Sequence, residues 1–130
     1  MRILIDTQAL LWYLEGNAEL SRGKRDTILN PANEAFVSVA SLWEIAIKIS
    51  AGKLKLKGSM TELLDQLAAQ SIEILTIAPG HVLQMASLPP LQQADPCDRF
   101  DRMIAAQSKV EFLTIVTTDP RLADYGVKIV

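Results

Sequence analysis

The sequence predicts an α/β fold, with a central, mainly parallel sheet that is covered by helices on both faces. Short apolar runs at residues 3–5, 35–38, 72–77 and 112–117 have the length and residue types of strands. Stretches with apolar residues at helical spacing separate these runs. Because strands that alternate with helices normally join side by side in one direction, this order favours a parallel sheet.

Each predicted helix in the first half of the chain ends at a residue that breaks helices. The first strand, residues 3–5, stops at Asp6, and the stop signals after the three helices are Gly16, Pro31 and Gly52. The predicted helices cover residues 9–14, 20–29 and about 40–50.

The second half continues the alternation of helices and strands. Residues 53–57 (KLKLK) predict a short exposed extended piece or a basic helix end. Ser59 and Glu62 have the spacing of a capping box and predict the start of the next helix. The remaining predicted elements are helices at 80–88 and about 98–110, a short helix opened by Asp119-Pro120, and a last strand at 127–130.

Composition limits the classes of function. A chain of 130 residues suits a single domain over residues 1–130, and a net charge of −2 argues against nucleic-acid binding by charge alone. Cys97 is the only cysteine and His81 the only histidine, so an intrachain disulfide, a structural zinc site and a serine–histidine triad are not expected. Without a signal-peptide pattern or a long apolar run, we expect a cytoplasmic protein with no membrane contact.

Four carboxylates occupy positions at which α/β proteins place their sites. Asp6 and Asp119 follow the first strand and the 112–117 strand, so both are expected at the carboxyl edge of the sheet, where such sites lie. Glu44 lies about one turn into the helix after the second strand, and Asp101 lies near the start of the helix before Asp119. Apolar neighbours surround Glu44, so its helix is expected to be largely buried.

Carboxylates gathered at one point are chemically suited to hold a hard divalent cation. They repel each other and raise one another's pKa, and a buried carboxylate is costly unless it is paired, protonated or bound to a cation. Mg²⁺ or Mn²⁺ relieves this repulsion and can activate a water for attack on a phosphodiester. Such cations would also allow a net-acidic protein to act on RNA.

Each acid also has an ordinary structural interpretation. Asp6 and Asp119 could cap helices, and Glu44 could form a helix ion pair with Lys48, four residues later. Asp101 could belong to a solvated charged face. These interpretations do not exclude metal binding, because a capping carboxylate can also bind a cation.

Taken together, the motifs resemble the PIN-domain family, and within it the branch of VapC-like toxins. The resemblance covers nearly the whole chain. The matching pieces are residues 3–12 (ILIDTQALLW), 37–48 (VSVASLWEIAIK), 100–107 (FDRMIAAQ) and 115–119 (IVTTD).

The resemblance implies a three-layer α/β/α sandwich and a Mg²⁺- or Mn²⁺-dependent endoribonuclease that acts as the toxin of a type II toxin–antitoxin pair. It implies a homodimer, and a small antitoxin that blocks the site and forms a hetero-oligomer with it. The catalytic and metal-binding residues that it implies are Asp6, Glu44, Asp101 and Asp119, and the hydroxyls that would support them are Thr7, Ser41 and Thr117.

One motif departs from the pattern of the family. The branch commonly has Asp-Pro-Phe-Asp-Arg before the helix of the third acid, whereas residues 95–102 read DPCDRFDR, as if the motif were doubled. The third acid could therefore be Asp98 or Asp101. Helix phase favours Asp101, because the buried face then follows it, and Asp98 would cap the helix or touch the metal from outside.

Basic residues and two other classes complete the expectations. Arg99, Arg102 and Lys48 could form a rim that holds RNA phosphates, or could simply be solvated. A catalytically silent PIN-fold module that binds RNA or protein is the main alternative. A phosphoacceptor domain would need a second acid beside Asp6, where Thr7 and Gln8 stand instead.

Overall fold

The computed structural model describes residues 1–89 and 99–130 and contains a four-stranded sheet. The strands are β1 (Arg2–Ile5), β2 (Glu34–Ser38), β3 (Glu73–Leu75) and β4 (Thr114–Val116). Their order across the sheet is β3-β2-β1-β4, and every neighbouring pair is parallel. This confirms the predicted fold class.

The helices begin and end close to the positions that the sequence predicts. Ser59 accepts a hydrogen bond from the Glu62 amide at 3.1 Å, which confirms the predicted helix cap. The helices are α1 (Thr7–Glu15), α2 (Arg22–Leu29), α3 (Val39–Ser50), α4 (Met60–Ala69), α5 (Pro79–Ser87) and α6 (Arg99–Glu111), with a 3-10 helix at Pro120–Tyr125.

Two apolar cores lie on opposite faces of the sheet. Successive strand residues point to opposite faces. In β1, Ile3 and Ile5 pack into a core with residues of α1 to α4, whereas Leu4 packs with Ile104 of α6 and Tyr125 of the 3-10 helix. Both cores are closed by helices, so the molecule has the predicted three layers, α/β/α. None of the helices in the described ranges has the length and apolar character needed to cross a membrane.

Several predicted extended segments are shorter than the sequence suggested. Strands β3 and β4 have three residues each, where runs of six, 72–77 and 112–117, were predicted. The segment 53–57 is neither helix nor strand, and its leucines Leu54 and Leu56 pack against the core while the lysines stay exposed. The last strand is reduced to a single parallel bridge between Ile129 and Ile115 of β4. A segment this short at a sheet edge can form one bridge but not a longer series of strand hydrogen bonds.

The expectation that α3 is largely buried is wrong. Ile45 is fully buried against the sheet, but Trp43 is 55% exposed and Ile47 is 45% exposed. A helix on the face of a sheet buries only one stripe, and the apolar residues of α3 extend beyond that stripe. The helix therefore presents an apolar surface to solvent.

A buried histidine joins α5 to α6. The Nδ1 atom of His81 accepts a hydrogen bond from the Ala78 amide at 3.0 Å, so the ring proton of the neutral imidazole lies on Nε2. That Nε2 lies 2.9 Å from the Glu111 carboxylate, to which it donates. His81 thus caps α5 and ties it to the end of α6.

Candidate active site

The carboxyl ends of three adjacent strands meet around Asp6. The Asp6 amide donates to the Val116 carbonyl at 3.0 Å, so the pairing of β1 with β4 continues to this residue. Asp119 follows β4, and Ser38 ends β2 and begins α3, which carries Glu44. Because β1 lies between β2 and β4, the sheet order brings these segments to one edge.

Asp6 is a buried carboxylate with both oxygens engaged. It is 5% exposed; its Oδ1 accepts from the Ala9 amide at 2.8 Å, and its Oδ2 accepts from the Thr117 hydroxyl. Burial raises the pKa of Asp6, and the two hydrogen bonds offset this only in part. The negative charges of Glu44 and Asp119 raise the pKa of Asp6 further. These carboxylates are therefore close enough for their charges to interact.

Glu44 is held by one hydroxyl and one ammonium group. Its Oε1 accepts from the Thr7 hydroxyl at 2.7 Å, and its Oε2 pairs with Lys48 Nζ at 2.7 Å. Only 15% of its side chain is exposed. Thr7 directly follows Asp6, so the hydrogen bond links α3 to the start of α1.

Asp119 caps the 3-10 helix and is clamped by an arginine. Its Oδ2 lies 2.8 Å from Arg121 Nη2, and its Oδ1 accepts from the Arg121 amide at 3.0 Å. Hydrogen bonding from Arg121 lowers the pKa of Asp119. The Asp119 amide also donates to the Thr117 hydroxyl at 3.0 Å, and that hydroxyl in turn donates to Asp6. Thr117 therefore bridges two of the predicted site residues.

The three predicted supporting hydroxyls have different environments. Thr7 and Thr117 donate to Glu44 and Asp6. The hydroxyl oxygen of Ser41 is buried and has no hydrogen-bond partner in the described part of the chain. A buried hydroxyl that is left unsatisfied is costly and calls for a polar partner.

The two candidates for the third acid differ in what the structure describes. Asp101 is half-buried in the first turn of α6. The neighbouring ring of Phe100 meets Trp43 edge-on, with 5.4 Å between the ring centroids, so this turn lies beside the part of α3 that carries Glu44. Asp98 lies outside the described residues, so its role stays a prediction.

The predicted basic rim is only partly available to a phosphate. The guanidinium of Arg102 donates to the carbonyls of Met85, Leu88 and Pro89 at 3.1–3.3 Å, which fastens the end of α5 to α6. Lys48 is paired with Glu44. Arg99 is exposed at the start of α6.

The carboxylates do not form a preassembled metal centre. Within residues 1–89 and 99–130, no three acidic, histidine or cysteine side chains are grouped so that they could hold a metal ion. Lys48 and Arg121 instead supply the positive charge beside Glu44 and Asp119. The donors at this edge are all oxygens, which suits a hard cation such as Mg²⁺ or Mn²⁺.

Sequence reasoning missed Arg121. Its guanidinium makes two-point contact with Asp119, through Nε and Nη2. A signal was present, because an arginine two residues after a helix-capping aspartate can reach back to that carboxylate.

The chain was compared with known protein families and solved structures. A family model described as the PIN domain matches residues 3–128. A search of curated proteins found no match.

Several solved structures share the fold. VapBC2 from Rickettsia felis, solved with a DNA fragment from the promoter, is 16% identical with a TM-score of 0.72, and the alignment covers 100% of this chain and 98% of that one. VapBC-1 from nontypeable Haemophilus influenzae is 13% identical with a TM-score of 0.66, over 100% and 97% of the two chains. FitAcB from Neisseria gonorrhoeae is 22% identical with a TM-score of 0.64, over 98% and 95%.

The resemblance drawn from the four sequence motifs is thereby confirmed, and the chain belongs to the PIN domain family.

Proposed function

We propose that this protein is a Mg²⁺- or Mn²⁺-dependent endoribonuclease, the toxin of a toxin–antitoxin pair, built as a single domain over residues 1–130. The observation that carries the proposal is the environment of Asp6. It lies at the carboxyl edge of a parallel sheet, where burial is the main cause of its raised pKa and the charges of Glu44 and Asp119 add to it. Such a site is electrostatically short of positive charge, and a divalent cation would supply it.

In this proposal Asp6, Glu44, Asp101 and Asp119 hold the metal. When bound, a divalent cation lowers the pKa of a coordinated water and stabilises the charge that develops on a phosphodiester. The Thr117 and Thr7 hydroxyls fix the carboxylates of Asp6 and Glu44 through hydrogen bonds, which limits their rotation.

The residues fit a hard cation, provided that two ion pairs open. Asp6 needs compensation of its charge, and the buried Ser41 hydroxyl lacks a partner among the described residues. Glu44 and Asp119, however, are engaged by Lys48 and Arg121. In both pairs the cationic side chain is about half exposed, and ion pairs that water reaches are worth only about 0–1 kcal/mol, so a tightly held divalent cation can replace them. The side chains of Lys48 and Arg121, released from these pairs, would then be available to RNA phosphates.

The test is metal-dependent RNA cleavage by the purified protein. We expect a labelled RNA to be cut with Mn²⁺ or Mg²⁺ and to stay intact with EDTA. Asp6→Asn should abolish the cleavage and keep the fold, whereas Asp65→Asn, an exposed acid on α4, should cleave like wild type. Full activity of the folded Asp6→Asn protein would reject the assignment.

A catalytically silent PIN module is the second candidate. The ion pairs of Glu44 and Asp119, and the lack of a metal-binding group within the described ranges, favour it. The two candidates differ in metal binding as well as in cleavage. Mn²⁺ that neither raises the melting temperature nor promotes cleavage would favour the silent module.

We also propose a homodimer and an antitoxin partner. Trp43 and Ile47 form an exposed apolar pair on α3, and Val82 and Leu83 form another on α5. Exposed apolar patches of this kind are typical of protein interfaces. The similarity to VapBC and FitAcB chains supports a protein partner. Light scattering of the free chain and of its complex with the antitoxin measures both assemblies.

A further inference from the structure

Phe112 stands out at the end of the sheet opposite the acids. It follows the last residue of α6, and its side chain is 89% exposed. Its backbone has a φ of 56°, in the left-handed region that a bulky residue rarely adopts. The position is therefore unfavourable for phenylalanine in two independent ways.

The conformation of Phe112 comes from the way in which α6 ends. The Leu113 amide donates to the Ser108 carbonyl at 3.0 Å, which is the bond that closes a helix over a left-handed residue. Glycine is usual at this position because it lacks a Cβ atom. Backbone strain retained at an exposed site is a reason to look for a function there.

A pocket of about 280 Å³ lies beside the Phe112 ring. We call it the Phe112 pocket, and it is lined by Ser108, Lys109, Phe112, Leu113, Thr114, Gly126, Val127 and Lys128. None of these lining residues is acidic. Neither Lys109 nor Lys128 has an ion-pair partner among the described residues. The pocket thus combines an exposed aromatic ring with two uncompensated ammonium groups.

The Phe112 pocket is separate from the candidate active site. Thr114 begins β4 and pairs with Ile3 near the start of β1, whereas Asp6 and Asp119 follow the ends of these strands. At about 3.3 Å per residue, the two ends of β4 and its extension to Thr117 are on the order of 10 Å apart. A ligand in the pocket would therefore use different side chains from those that hold the metal.

We propose that the Phe112 pocket binds one nucleotide of a single-stranded RNA, with the base stacked on Phe112 and the adjacent phosphates on Lys109 and Lys128. This rests on the proposed function in that the RNA is the substrate. Exposed aromatic rings beside lysines bind single strands in this way without reading their sequence. The pocket would add affinity for RNA away from the cleavage site.

The features of the pocket favour a nucleotide over a peptide. A peptide that docks by adding a strand needs an open sheet edge. The edge of β4 beside the pocket is occupied, because the Ile115 amide donates to the Lys128 carbonyl at 2.9 Å. An exposed flat ring beside two ammonium groups, neither of them paired within the described part of the chain, matches a planar base and its phosphates.

The test is binding of a labelled single-stranded RNA 12-mer in EDTA, followed by fluorescence anisotropy in an Asp6→Asn background so that no cleavage occurs. We expect Phe112→Gly to weaken binding at least about fivefold, because stacking on an aromatic ring is lost. Phe112→Trp should bind like the parent. The paired change Lys24→Gln and Leu29→Ala on α2 is a matched control and should leave binding unchanged.

The salt dependence tests the two lysines. For single strands, the slope of log affinity against log salt changes by about 0.7 for each phosphate contact. Lys109→Gln together with Lys128→Gln should therefore reduce the slope by about 1.4. Unchanged affinity in the Phe112 variant, or an unchanged slope in the lysine variant, overturns the proposal. If RNA binding is unaffected but antitoxin binding weakens, the pocket is a protein site and the proposal is likewise rejected.

The design separates this proposal from the proposed nuclease activity. RNA binding that depends on Phe112, without cleavage by the wild type in Mn²⁺, supports the pocket and contradicts the nuclease. If the protein cleaves RNA and Phe112→Gly changes neither KM nor kcat, RNA binding in the pocket is contradicted and the proposed nuclease activity stands. A raised KM with unchanged kcat supports both.

Discussion

The two ends of the sheet differ in their charged groups and in their exposed apolar surface. At the carboxyl end, Asp6 is buried, and Glu44 and Asp119 each have a cationic partner. At the other end, Phe112 is exposed and strained, beside two lysines with no ion-pair partner among the described residues. The carboxyl end therefore holds a buried carboxylate, whereas the other end presents two ammonium groups beside an exposed ring.

The proposed action on RNA has to be reconciled with a net charge of −2. The overall charge is a poor guide to binding at one site, because nearby groups dominate at distances within the Debye length, about 8–10 Å. In the proposed function, a divalent cation would make the carboxyl end compatible with a phosphate, whereas Lys109 and Lys128 would bind a phosphate without one.

The largest effect is expected for Asp6→Asn. Loss of this carboxylate should reduce cleavage more than about 100-fold, because groups that only support a ligand already contribute about 10–100-fold. In the wild type, Mn²⁺ at 100 times its Kd should stabilise the fold by about 2.7 kcal/mol, or roughly 10 °C in Tm. In Asp6→Asn this metal-induced rise should largely disappear.

Thermal melts with and without Mn²⁺ provide the measurement, and Asp65→Asn provides the control. A full metal-induced rise in Asp6→Asn would mean that the cation binds elsewhere. Binding of RNA in EDTA should be similar in wild type and Asp6→Asn, since the Phe112 pocket does not use this residue.

The second effect concerns Arg121, which competes with the metal in our proposal. Arg121→Gln should free Asp119 and lower the Kd for Mn²⁺ about fivefold, because an exposed ion pair of about 1 kcal/mol no longer has to open. Titration calorimetry without RNA measures this directly. Arg22→Gln, an exposed arginine on α2, should leave the Kd unchanged. A weaker Kd in Arg121→Gln would mean that Arg121 supports the metal site rather than competing with it.

Much of the fold was predictable because local signals agree with the global arrangement. The apolar runs of β1 and β2 are buried on both faces, as strands of a central parallel sheet require. The Ser59 cap and the Gly16 stop act within one turn of their helices. The last strand was overestimated, because pairing at Ile129 depends on how far β4 extends and not on the local sequence.

The sequence predicted where the candidate site lies in the fold better than it predicted the side-chain contacts within it. The rule that sites lie at the carboxyl ends of strands places Asp6 and Asp119 together, and the structure links them through Thr117. The Arg121 clamp depends on side-chain rotamers, which periodicity does not encode. The strain at Phe112 depends on a backbone angle, which the residue type alone would not suggest.

A smaller effect is expected at the other end of the sheet. Phe112→Gly should raise the free energy of unfolding by about 1 kcal/mol, because glycine adopts the left-handed conformation without strain and the exposed ring contributes little packing. Urea unfolding measures the change. Phe112→Ala retains a Cβ atom and should show little gain. A variant that gains stability and loses RNA binding would show that the strain serves a function.

The last prediction uses the pH dependence of stability in EDTA. Because the pKa of Asp6 is raised above its ordinary value of 3.8, the folded state binds the proton more tightly than the unfolded state does. Between 3.8 and the raised pKa, the free energy of unfolding therefore falls as the pH rises. Above that window Asp6 is ionised in a buried site, and it destabilises the fold without a cation.

Asparagine does not titrate, so the Tm of Asp6→Asn should exceed that of the wild type at about pH 7, and the difference should shrink as the pH falls towards about 4. A difference that does not change with pH would mean that burial does not disfavour the charge on Asp6, and the carboxyl end of the sheet would then have no need of a cation.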